Sequence, residues 1–122
     1  MTAEQFFESF PHSLALYTSV EKALKALGPY RMRVSKSRIA FLAYKPFAYV
    51  WVPERYQRGN TAPLVLSLPL SFRDETVLWK EVHQVRKSTY MHHKELWTAE
   101  DLDQKLMALL AQNYQEVIGE HA

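Results

Sequence analysis

Between Tyr30 and Leu70 the chain alternates its side chains with a period of two, in runs of which the first three are parted by only two or three residues. Tyr30, Met32 and Val34 alternate with Arg31 and Arg33, Ile39, Phe41 and Ala43 with their neighbours, and Phe47, Tyr49 and Trp51 with Ala48, Val50 and Val52. A period of two puts alternate side chains on opposite faces of a pleated strand, and aromatic and β-branched residues suit that surface. The breaks at Ser35-Lys36-Ser37 and Lys45-Pro46 are too short for a crossover helix. They join antiparallel neighbours. Pro53 ends the third run, and a loop from Glu54 to Ala62 leads to Pro63–Leu70, where Leu64, Leu66, Leu68 and Leu70 share a face. Pro69 lacks a ladder N–H and predicts that this strand ends there or lies at an edge.

Helices flank the strands. Thr2 with Gln5 reads as a capping box for a short helix carrying Phe6, Phe7 and Phe10. Ser13 is a cap for a second helix, with Leu14, Tyr17, Val20, Leu24 and Leu27 on one side and Gly28-Pro29 as its stop. After a polar loop from Ser71 to Val77, Trp79–Val85 and Thr89–Glu95 read as a hairpin around Arg86-Lys87-Ser88. Thr98 with Asp101 predicts the start of a last long helix, whose stripe includes Leu102, Leu106, Leu110 and Tyr114. Strands and helices are segregated, which predicts an α+β fold: an antiparallel sheet of five to six strands, with two N-terminal helices and one long C-terminal helix packed on it. Its 122 residues make one domain.

The chain has no cysteine, which removes disulfides, thiolate metal sites and thiol nucleophiles from consideration. No run approaches the roughly 20 apolar residues of a membrane helix, and the start MTAEQFF lacks the basic stretch of a signal peptide. A cytoplasmic protein without membrane contact is the expectation. Net charge is only +2, but it is unevenly spread. Residues 31–58 hold seven Lys and Arg against one Glu, whereas residues 95–122 hold six acids against one Lys. Either the acidic end folds over the basic strands and neutralises them, or the basic strands face an anion.

Three groups could carry chemistry. Ser35, Lys36, Ser37 and Arg38 combine hydroxyls and cations in one turn, as an anion site requires. Tyr44, Phe47, Tyr49, Trp51 and Tyr56 are interleaved with Arg38, Lys45, Arg55 and Arg58, the mixture by which sheet faces stack and hold single-stranded nucleic acid. His92 and His93 are adjacent, so on a strand they face opposite ways and cannot share one metal ion. A two-residue turn at Arg86-Lys87 would set His92 opposite Glu81, and a three-residue turn would set His93 there instead. No metal ligands and no cofactor are assigned. Ser67 lies in an apolar strand without the glycines of a nucleophile elbow.

The stretches VSKSRIAF (34–41), FAYVWVPERYQRG (47–59), PLVLSLPL (63–70), WKEV (79–82), YMHHKEL (90–96) and DLD (101–103) together resemble a bacterial family, domain of unknown function 5655 (DUF5655). The resemblance covers nearly the whole chain. It implies a domain that occurs alone or as a terminal module of longer proteins, some labelled as predicted transport proteins, and it brings no agreed catalytic residues. The family's recurrent residues fall here on Lys36, Ser37, Trp51, Tyr56, Trp79, Lys80, Glu81, His92 and His93. Lys94 stands where that pattern has an apolar residue.

The leading expectation is a binding module, not an enzyme. Its basic sheet edge, with Arg31, Arg33, Ser35, Lys36, Ser37, Arg38, Arg55, Tyr56 and Arg58, would take an anionic ligand: a nucleic acid, a phosphorylated metabolite or an acidic protein surface. The alternative is a small enzyme with Glu81 and His92 or His93 as an acid–base pair and Lys36 as anion clamp. A homodimer through an exposed Leu64–Leu70 edge is a third expectation.

Overall fold

The structure, a computed structural model, describes residues 1–120. Its strands are β1 (Arg31–Val34), β2 (Ile39–Ala43), β3 (Lys45–Trp51), β4 (Leu64–Leu70), β5 (Glu81–Arg86) and β6 (Thr89–Leu96). The helices are α1 (Ala3–Phe6), α2 (Pro11–Lys25) and α3 (Gln104–Gly119). All six strands form one antiparallel sheet in the order β1-β2-β3-β4-β6-β5. The fold is therefore α+β. No helix among the described residues is long and apolar enough to cross a membrane.

Strand β4 is central and ends at Leu70, one residue past Pro69, so of the two readings of that proline the edge is the one corrected. Leu64, Leu66 and Leu68 are fully buried and pack with Ile39, Phe41 and Val50 against Phe6, Val20, Leu24, Leu106 and Leu110 of the helices. A strand paired on both sides and buried on both faces, as Val65 and Ser67 are on the outer one, carries the near-continuous apolar run LVLSLPL. Pro69 is tolerated because β3 pairs with β4 only at Val65, Leu66 and Ser67. The missing N–H falls where β3 has already separated from β4. In that gap the Asn113 side chain donates to the Phe47 carbonyl at 2.9 Å, replacing the absent strand. The sheet's edges are β1 and β5, so the Leu64–Leu70 run is not the exposed edge that the dimer expectation assumed.

Other local expectations shift by a residue or two. The Thr2–Gln5 capping box is formed. The second helix starts at Pro11 rather than Ser13, whose buried hydroxyl instead donates to the Pro63 carbonyl at 2.6 Å. The reversal between β2 and β3 needs only Tyr44, at φ 74°, so Lys45 and Pro46 already belong to β3. The Thr98–Asp101 box caps a single 3-10 turn, and Asp103 caps α3 by accepting the Leu106 N–H. Gly28 has φ 145°, and a Cβ there would lie 2.5 Å from the Tyr114 hydroxyl, which donates to the Pro29 carbonyl. No other residue fits at that position.

The loop between β4 and β5 is tied down from inside. His92 is fully buried and accepts the Asp74 N–H on Nε2 at 2.9 Å. The buried Asp74 carboxylate accepts from the Thr76 hydroxyl, from the backbone N–H of Thr76 and Val77, and from the Trp79 indole. Burial alone would raise the Asp74 pKa, but these donors outweigh it and hold it below the usual carboxylate value.

Two outcomes are expected in denaturant unfolding. Leu66→Ala loses about 2–5 kcal/mol, the usual cost of a large cavity in a closed core. Asp74→Asn loses about 1–3 kcal/mol at neutral pH, because donors placed for a carboxylate keep only a neutral acceptor. Because the folded-state pKa of Asp74 is depressed, its contribution is present above the unfolded value and is lost as pH falls through the folded one. The gap between wild type and Asp74→Asn should therefore narrow only below about pH 4. A gap that stays constant down to acid unfolding would show that the carboxylate charge contributes nothing.

Candidate functional site on the open sheet face

The helices share one core with the inward residues of the sheet, and the other face carries no helix, although its central residues Ala40, Val65 and Ser67 are buried. One row of directly opposed residues crosses this outer face through all six strands: Arg33, Ala40, Tyr49, Ser67, His93 and Glu81. It runs from a cation at one edge to a carboxylate at the other.

On the β1–β3 side the face is basic and aromatic. Arg31, Arg33, Lys36 and Arg38 are exposed, and the Arg38 guanidinium lies 4.1 Å from the centre of the half-buried Tyr49 ring. Trp51 is half-buried on the same face, two residues along β3, with the exposed Tyr56 ring 6.4 Å away. Tyr56 donates to the Ser37 carbonyl at 3.2 Å, tying the long loop to the β1–β2 turn. Within that turn the Ser35 hydroxyl is spent on Ser37 and on the Arg38 backbone. It is no open phosphate cradle. Arg55 is also committed elsewhere, donating to the Phe6 carbonyl and lying over the Phe6 and Phe10 rings. Arg58 is exposed in the loop.

The C-terminal helix, with Glu116 and its capping residues Asp103 and Glu120 as its acids, does not cover these cations. It packs on the opposite face, and of its acids only Glu120 reaches a basic residue of the strands, Lys45 at 2.6 Å. Among the described residues no carboxylate lies within ion-pair distance of Arg31, Arg33, Lys36, Arg38 or Arg58.

On the β4–β6 side the row becomes a hydrogen-bonded chain. The Trp51 indole N–H donates to Ser67 Oγ at 3.0 Å, and Ser67 Oγ meets His93 Nδ1 at 2.6 Å. His93 Nε2 in turn meets Nε2 of His83 at 3.0 Å. Glu81 stands directly opposite His93, and its carboxylate shares a 4.8 Å neighbourhood with both imidazoles. Burial and the neighbouring His83 lower the His93 pKa against the opposing pull of Glu81, so the ring is neutral at pH 7. Ser67 is 2% exposed and already carries the indole N–H. It orients His93 and is not an accessible nucleophile.

The predicted catalytic residues divide between the faces. Glu81 and His93 meet, because the hairpin turns at Lys87-Ser88 with an irregularity between Gln84 and Arg86, giving the register in which Glu81 faces His93. His92 points the other way and is buried on the Asp74 loop. Lys36 sits in the β1–β2 turn, three strands from β6 and so on the order of 14 Å away, too far to clamp a small anion at His93. Lys80 is nearer: its N–H donates to the His93 carbonyl, and its ammonium lies 3.7 Å from Glu95. Lys94 donates to the Leu78 carbonyl. Sequence reading passed over His83, although Glu81-x-His83 on a strand already places both on one face.

Comparison with known proteins gives one result. The family described as "Domain of unknown function (DUF5655)" matches residues 3–117, and the chain belongs to that family. No curated protein and no solved structure matches it. Of the residues that the family resemblance marks, Trp51, Tyr56, Lys80, Glu81 and His93 lie on or around the outer face, whereas Trp79 and His92 hold the Asp74 loop.

Proposed function

We propose that this domain is a binding module whose open sheet face takes an extended anion, with single-stranded nucleic acid as the class that fits best. One observation carries the reading: among the described residues Arg31, Arg33 and Arg38 have no acidic partner, and Arg38 lies over Tyr49 on a face no helix covers. Same-face residues on a strand are about 6.5–7 Å apart, roughly twice the stacking distance of bases, and aromatic platforms with flanking cations hold single strands without reading sequence. Lys36 in the β1–β2 turn extends the basic strip, and Arg58 is exposed in the loop that Tyr56 ties to that turn; Arg55 and the Ser35 hydroxyl are left out because the fold uses them. The expected cytoplasmic, bacterial setting suits such a ligand.

A second reading, a small enzyme with Glu81 and His93 as an acid–base pair, is favoured by their direct opposition across β5 and β6. It demands chemical turnover of a bound ligand. The first reading demands only binding.

The test is fluorescence anisotropy with labelled single-stranded DNA and RNA over a salt series. Contacts to three or four phosphates should give a log–log salt slope of about −2 to −3. Replacing Arg31, Arg33 and Arg38 together by Glu should weaken binding at least tenfold at low salt while leaving the unfolding transition in place. Binding unchanged by this triple reversal, or absent from the wild type at low salt, would overturn the reading.

A further inference from the structure

We infer that Glu81, His83 and His93 form a binding site for a divalent transition-metal ion, of which Zn²⁺ is the type case, on the β5–β6 side of the open face. The three residues come from two adjacent strands. Glu81 and His83 share the outer face of β5 by their spacing of two, and His93 faces Glu81 from β6. Their ligand atoms all lie within 4.8 Å of one another.

Distance favours a shared cation. Two nitrogens bound to one ion at about 2.0–2.1 Å each lie about 2.9–3.4 Å apart in octahedral or tetrahedral geometry. The two Nε2 atoms are 3.0 Å apart. As neutral rings they place one N–H against one lone pair across that gap, and an ion replaces this proton with two lone pairs. The proton need not leave the protein, since each ring can carry its own on Nδ1. Glu81 and His83 are exposed, so their side chains are free to close the remaining distance.

The surroundings suit this role. A metal-binding imidazole commonly has its second nitrogen held by a hydrogen-bond partner, which fixes tautomer and ring plane. Here Ser67 Oγ sits 2.6 Å from His93 Nδ1 and is itself held by the Trp51 indole. With Nδ1–H donated to Ser67, the His93 lone pair lies on Nε2, toward His83. Two imidazoles and one carboxylate select a transition metal over Mg²⁺ or Ca²⁺. Three protein ligands leave a coordination position open to solvent and to whatever lies on the sheet. A bound ion would also turn the acidic end of the row positive, extending the cationic strip across the face.

The experiment uses the full chain without an affinity tag, stripped with chelator and titrated with Zn²⁺ alone by calorimetry. Co²⁺ absorption in the visible serves as a second reporter. One equivalent should bind in the micromolar range or tighter. His83→Ala and Glu81→Gln, both at exposed positions, should each weaken binding at least tenfold and abolish the Co²⁺ spectrum. His12→Ala, at an exposed histidine near Glu54, should change neither. Zn²⁺ affinity unaffected by His83→Ala, or no binding below millimolar Zn²⁺, would overturn the site. Nucleic acid is absent throughout, so failure here is distinct from failure of the anion-binding reading.

Discussion

The structure depends on the pairing of β4 with strands on both sides. Its leucines at 64, 66, 68 and 70 are driven to one face by their removal from water, each contributing on the order of 1.5–3 kcal/mol. A strand with that much apolar surface can be buried only in the middle of a sheet, under the helices. Once β4 is central, β3 and β6 flank it on its two sides although more than 35 residues separate them in sequence. Ser67, on the other side of β4, is then fixed between Tyr49 and His93. The polar row on the outer face follows from hydrophobic burial on the inner one.

One-sided coverage also decides the electrostatics. The C-terminal segment from residue 95 and the basic strands carry opposite charge, and simple attraction would bring them together. The apolar stripe of α3 and the leucines of β4 instead place the helix on the inner face, away from the arginines. Lys45 pairs with Glu120 only because it lies at the rim, beside the end of α3. The uncovered cations are thus a consequence of core packing, which outweighs surface ion pairs of about 0–1 kcal/mol.

The two adjacent histidines show how one residue of register divides structure from chemistry. His92 is drawn inward and spent on the loop through Asp74; His93, one position later, faces outward and joins Ser67, His83 and Glu81. Their opposite orientation was legible from the chain, as were the hairpin, the capping box at Thr2 and the shared face of the β4 leucines. The partner of Glu81 was not legible, because it turns on whether the loop takes two residues or three. Nor was the value of His83 or Ser67. Each is ordinary alone and acquires meaning only from neighbours on other strands.

By itself the sequence determined which side chains share a face and where the chain must turn, because the alternation of a strand and the geometry of a proline are local. It determined the class of the fold for the same reason, through segregated helical and strand patterns. Tertiary structure alone decided that β4 is central, that Pro69 is harmless there, and that Glu81, His83 and His93 converge while Lys36 stays apart. Those outcomes rest on strand order and on single-residue register. Both are set by burying one continuous core between segments distant in sequence, where no local preference can reach.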